Sequence, residues 1–133
     1  MITSGVFDYV NVLGAAADGA WARNAAISNN IANVDTPNYK RQDVSFQWEL
    51  QQALRNNKYP TLDQKVSDVN KSQRLSHFAP RAYVDHSDFS YRLDGNNVDI
   101  DTENVEMASN QLLYNGIVQS IDKEFSNFKT VIK

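Results

Sequence analysis

Ile27-Ser28-Asn29-Asn30-Ile31-Ala32-Asn33-Val34-Asp35-Thr36-Pro37-Asn38-Tyr39 is the stretch whose reading decides the fold. Its first half keeps helical spacing, with Ile27, Ile31 and Val34 on one stripe and Asn29, Asn30 and Asn33 on the other faces. Its second half breaks the helix. Pro37 has no amide hydrogen and pushes Thr36 toward extended backbone, so the helix is expected to stop near Asn33–Asp35. Asn38 supplies a residue that tolerates a left-handed backbone where the chain turns. Asparagine is a weak helix former, so the amides need partners. Either they cap and turn the local backbone, or they meet a neighbouring chain; the residues alone leave both open.

Upstream of this stretch the pattern is helical over an unusual length. Val6, Val10, Leu13, Ala17, Ala20, Asn24, Ile27, Ile31 and Val34 alternate spacings of four and three, a heptad-like seam with a polar interruption at Asn24. A rod of that length cannot bury its seam alone. The far end of the chain offers the partner, because Met107, Gln111, Tyr114, Val118, Ile121, Phe125, Phe128 and Ile132 repeat the spacing. Thr102 is the expected N-cap there. Glu103 and Glu106 in the first turns and Lys129 and Lys133 in the last suit the helix dipole. The expected fold is therefore mainly α, with long N- and C-terminal helices paired as a coiled-coil-like hairpin.

Between them lies a middle region with a short helix, a loop and a small β-hairpin. Val44, Phe46, Trp48, Leu50, Ala53 and Leu54 suggest the helix; Tyr59–Arg81, polar and punctuated by Pro60 and Pro80, suggests the loop. Phe89, Tyr91 and Leu93 alternate, Asp94-Gly95-Asn96-Asn97 turns, and Val98 and Ile100 alternate again, which predicts the hairpin. The expected division is 1–36 with 102–133 as a terminal helical unit and 37–101 as the middle.

The 133 residues carry 41% apolar side chains and a formal charge of −3, one domain's worth of sequence without the basic stripe that nucleic acid requires. Asp94, Asp99, Asp101, Glu103 and Glu106 stand together with no Lys or Arg among residues 94–106. There is no cysteine, hence no disulfide and no thiolate metal site. The first residues lack the basic and apolar blocks of a cleaved signal peptide, and no window reaches the ~20 apolar residues of a membrane span.

Chemistry is not expected either. Asp94-x-Asn96 opens like a calcium loop, but Asp99 stands where its glycine belongs and Val105 where its bidentate glutamate belongs. Asp85-His86-Ser87-Asp88 holds the residue types of a triad on neighbouring positions, which point apart rather than converge. His77 and His86 have no partner at ligand spacing, and no glycine-rich phosphate loop is present. Asn70-Lys71-Ser72 matches a glycosylation sequon by chance alone. No catalytic residue, cofactor, metal or small-molecule substrate is assigned.

Asn29, Asn30, Ile31, Ala32, Asn33, Thr36, Pro37 and Tyr39 resemble the motif that marks the bacterial flagellar axial proteins of the rod and hook. Asn38 replaces the motif's usual Gly and Ser28 its usual Ala. A second set, Leu93-Asp94-Gly95-Asn96-Asn97-Val98-Asp99-Ile100-Asp101 with Glu103, Met107, Ala108, Asn110, Gln111, Leu112 and Tyr114, is similar to the short proximal-rod members of that family. Arg41–Phe46 and Leu50 share the likeness; Tyr59–Phe89 does not.

The resemblance implies a structural role in the bacterial flagellum. Subunits of this kind stack helically around a hollow axis, terminal helices forming the inner tube and the middle region the outer layer. It implies a place in the basal-body rod, in the periplasmic space, reached by type III export without a cleaved signal peptide. The implied partners are further copies, other rod proteins, the MS ring, and the export gate with its small adaptor protein. The motif asparagines and Tyr39 are expected to set the junction between tube and middle region, or to pair with a neighbour. The competing expectation is a freestanding helical adaptor or type III secretion chaperone that holds a client along the apolar seam.

Overall fold

The structure is a computed structural model that describes residues 5–71, 80–86 and 92–132, with side chains from Phe7 onward. It is mainly α. Helix α1 runs from Gly5–Ala32 and α4 from Ile100–Val131, and the two pack lengthwise. Between them come strand β1 (Gln42–Val44), helices α2 (Phe46–Arg55) and α3 (Leu62–Lys71), and strand β2 (Ala82–Val84).

Helix α1 is clamped from two sides. Ala20 and Ile27 are buried on it, and Val10, Leu13, Ala17 and Ile31 are half-buried. Its small residues admit close neighbours: Ala26 joins Val44 and Phe46 in the core, with Ala15, Ala16, Ala22 and Leu50 packed around them. Val66 and Val69 are the buried residues of α3, which packs on α1 and α2. Every middle element thus leans on one flank of α1.

Helix α4 meets α1 through a seam rotated from the expected one. Met107, Tyr114, Ile121 and Phe128 are half-buried, but Glu103 and Asn110 are the buried residues, and Ile117 and Glu124 follow them, half-buried, at further steps of seven. Val118, Phe125 and Ile132 are 42%, 46% and 82% exposed, and Gln111 is exposed too. At 124/125 the expected seam takes the apolar Phe125 where the fold turns Glu124 inward, and at 110/111 the fold takes Asn110, whose Nδ2 is met by the Ala20 carbonyl, in place of Gln111. The side chain of Val6 lies outside the described residues.

Three further expectations are corrected. Asp99, not Thr102, caps α4: its Oδ1 accepts from the Asp101 and Thr102 amides at 3.0 and 3.5 Å, and its Oδ2 takes the Thr102 hydroxyl at 3.1 Å. The polar span expected as a loop contains α3, whose paired valines give it an apolar face too short to register as a period. The hairpin at 89–100 does not form on its described side. Asp94-Gly95 does turn the chain, but Val98 is irregular and buried, and Ile100 already opens α4; Phe89 and Tyr91 lie outside the described residues. The two-stranded sheet is β1 against β2, antiparallel, with Gln42, Asp43 and Val44 opposite Val84, Tyr83 and Ala82.

Candidate functional site

Where α1 ends, α4 begins and β1 passes between them, the two motifs meet at a joint built mostly from amide side chains. Asn30 is fully buried. Its Oδ1 accepts from the Gln42 amide at 2.8 Å and the Tyr39 hydroxyl at 3.2 Å. Its Nδ2 donates to the Gln42 carbonyl at 2.8 Å and to Glu103 Oε2 at 3.0 Å. The side chain thus pairs with Gln42 as a neighbouring strand would, which satisfies a buried amide completely.

Asn96, also fully buried, serves the end of α1. Its Nδ2 lies 3.0, 3.0 and 2.9 Å from the carbonyls of Asn33, Val34 and Thr36, in the turns that follow the helix. Its Oδ1 accepts from the Val98 amide at 2.8 Å. Arg92 adds a bond to the Val34 carbonyl at 2.6 Å. Asn97 extends the small sheet, its Oδ1 accepting from the Arg41 amide at 2.6 Å and its Nδ2 donating to the Asp85 carbonyl at 3.0 Å. Asn33 folds back on Asn29, and its Oδ1 takes the Thr36 hydroxyl at 3.1 Å. Within the chain, Asn30 therefore partners the Gln42 backbone and Asn33 the Asn29 carbonyl. Asn29 and Ala32 are exposed on the last turn, Ile31 half-buried.

Thr36-Pro37-Asn38-Tyr39 closes as a turn, the Tyr39 amide bonding the Thr36 carbonyl at 3.2 Å, with Pro37 second and Asn38 third at φ 60°. The Asn38 amide reaches the Asp94 carbonyl at 2.8 Å, and Lys40 Nζ the Gly95 carbonyl at 2.7 Å. Two turns, far apart in sequence, interlock.

Beneath the amides runs a charged chain. The fully buried Glu103 accepts Arg41 Nε on Oε1 at 2.5 Å; Arg41 also reaches Asp43 at 3.0 Å and Asp85 at 3.7 Å. Asp43 accepts Arg23 Nε at 3.1 Å, and Arg23 reaches Glu106 at 2.7 Å. Burial alone would push the Asp43 carboxyl up, but the Val44 amide, Arg23 and Arg41 outweigh it and hold it below its usual value. Burial also opposes the Arg41 charge, and Glu103 with Asp43 reverses that and raises it. Burial, then the Glu103 charge, raises the Tyr39 hydroxyl.

Glu103, Arg41, Asp43 and Arg23 were not singled out as site residues from sequence, although their clustering near the motifs was visible. The arrangement holds three chain segments together; it has no open nucleophile. Among the described residues no group of three or more His, Asp or Glu is placed to hold a metal, and no helix is long and apolar enough to cross a membrane.

The sequence matches the family described as "Flagella basal body rod protein" over residues 16–40, a span containing the whole Ile27–Tyr39 stretch. It is 38% identical over 110 residues to the flagellar basal body rod protein FlgB of Bacillus subtilis, covering 83% of this chain and 81% of that one. The FlgB of Borreliella burgdorferi is 36% identical over 116 residues (84% of this chain, 85% of the relative). That of Buchnera aphidicola is 31% identical over 111 residues, covering 84% of each.

Proposed function

Because this chain belongs to the FlgB-type flagellar basal-body rod proteins, a structural family, we propose that it builds the membrane-proximal end of the rod. In this reading residues 1–36 and 102–133 form the inner layer of a helical tube and residues 37–101 the outer one. The subunit reaches the periplasmic space through the type III export channel. It joins the MS ring, the export gate and its small adaptor protein to further rod subunits, and it performs no catalysis.

The observation that carries the reading is an uncovered apolar flank on the helix pair. Trp21 is 66% exposed on α1; Val118 and Phe125 stand exposed seven positions apart on α4, and Ile132 a further seven beyond. Phe7 stacks on Phe128 with ring centroids 5.6 Å apart at the far end. The middle region covers the opposite flank. A row of large apolar groups left in water, on the elements that hold the monomer together, favours association with like helices.

The absence of native cysteine makes the test direct. A chain carrying cysteines at both Val118 and Phe125, oxidised in isolated basal bodies, is expected to give disulfide-linked multimers, since bonding requires Cα atoms within about 7 Å. A chain absent from basal bodies, found instead as a small soluble complex with one client, would return the adaptor alternative.

A further inference from the structure

On that uncovered flank α1 and α4 leave a cleft of about 340 Å³, lined by Trp21, Asn24, Asn110, Gln111, Tyr114 and Asn115. Asn110 is 2% exposed, and its Nδ2 donates to the Ala20 carbonyl at 2.8 Å, which fixes the amide's orientation. Its Oδ1 is then buried with no donor, and Asn24 Oδ1 is in the same condition. Buried acceptors without donors are costly. Both residues line this cleft, beside the tilted ring pair of Trp21 and Tyr114, centroids 6.3 Å apart.

We propose that this cleft receives the carboxamide side chain of an asparagine or glutamine from a second copy of the chain, and that the resulting amide layer fixes the axial offset between copies. The proposal rests on the assembly role of the helix pair. A primary amide brings two N–H donors for the two orphaned oxygens, and its own oxygen can accept from the exposed amides of Gln111 or Asn115. A guanidinium or ammonium would enter a cleft whose lining holds no carboxylate, and a carboxylate would face acceptors only.

A second copy fits best among possible donors. Copies of a chain with net charge −3 repel, and this flank lets them approach through a lining without Lys, Arg, Asp or Glu. Asn104, Gln111, Asn115 and Gln119 stand exposed on α4 and supply the required group. One polar layer in an apolar seam sets register while lowering stability, because every offset that misses it buries amides unpaired.

Two differently tagged full-length chains, each with one introduced cysteine, are co-expressed so that only copy-to-copy disulfides yield the mixed dimer. One carries Phe125→Cys; its partner carries Gly14→Cys, Ala25→Cys or Ser28→Cys in turn. In basal bodies otherwise native in sequence, one pairing is expected to dominate. With Asn24→Leu in both chains, the dominant pairing is expected to fall to a minority as offsets of a helical turn appear, while the amount of assembled subunit stays level or rises. Asn24 makes no hydrogen bond to the rest of the fold through its Oδ1, so this variant spares the monomer; Asn24→Gln is expected to restore one dominant pairing. An unchanged single pairing in Asn24→Leu overturns the amide layer while leaving assembly through the flank intact. With the subunit present in basal bodies, no mixed dimer in any combination overturns the amide layer, whereas absence of the subunit from basal bodies removes the assembly role itself.

Discussion

Asn38 and Gly95 face each other across the joint, and they are the described residues with positive φ, 60° and 74°. A Cβ built on Gly95 would stand 2.8 Å from Asn38 Oδ1, so neither turn can change without the other. Gly95→Ala is expected to cost at least ~1–2 kcal/mol from the left-handed backbone alone, plus the displacement of Asn38. Asn38→Gly keeps the backbone bond to Asp94 and permits the same φ, so its cost is expected below about 1 kcal/mol. Urea unfolding of the two variants side by side checks the ordering.

The buried Glu103–Arg41 pair predicts a double-mutant signature. Arg41→Met leaves a fully buried carboxylate with only an amide beside it, and about 3–5 kcal/mol should be lost. Combining it with Glu103→Leu removes the stranded charge, so the double variant is expected to be more stable than Arg41→Met. If the two losses simply add, the pair is not coupled and the joint is held by its amides alone.

Acid should loosen this joint before the helix pair. Asp43 titrates lower folded than unfolded, so its contribution is complete above its ordinary value of about 4 and disappears as pH falls through the lower, folded value. Asp43→Asn is expected to flatten the acid limb of the stability–pH curve while lowering the plateau near neutrality. Unfolding followed by Trp fluorescence at stepped pH gives both readings.

How much of this was legible follows from what kind of signal each part leaves. The four-three spacing of Ile27 and Ala20, and of Met107, Tyr114 and Phe128, marked two long helices and their pairing, because period survives a rotation of the seam by one position. The rotation itself was hidden: Asn110 and Glu103 are unattractive seam residues until Ala20's carbonyl and Arg41 are known to meet them. The short strands left no trace, each only three residues long, with Ala82, Tyr83 and Val84 exposed. Asn96 and Asn97 look like turn residues, yet the turn is Arg92–Gly95 and they lie just after it; that they brace the turns after α1 and the start of β1 depends on contacts about 60 positions away in sequence, which local pattern cannot carry.

Tyr9 and Asp63 tie α3 to α1, the tyrosine hydroxyl donating to the carboxylate at 2.5 Å. That bond first, then burial and the Asp63 charge, pushes the tyrosine up to about 12. A raised acid contributes stability that is complete below its unfolded value near 10 and is lost as pH climbs toward the folded one. Alkaline titration is therefore expected to release α3 while α1 and α4 remain paired, and Tyr9→Phe to abolish that step. Proteolysis within residues 62–71, compared between the two chains as pH rises, reads the release directly.

Helical glycines give the last test, because the same substitution should change sign with position. Gly14 and Gly116 lie inside helices, and a Cβ on either meets nothing within 4 Å. Alanine at each is expected to stabilise the free chain by about 0.5–1 kcal/mol through helix propensity. A Cβ on Gly19 would instead collide with the ring of Phe46, a buried member of the core. The ring cannot retreat without opening the contact between α1 and α2, so Gly19→Ala is expected to cost about 1–3 kcal/mol despite the same gain in propensity. Thermal melts of the three alanine variants settle it: a stabilised Gly19→Ala would mean that Phe46 does not pack against α1 at this glycine.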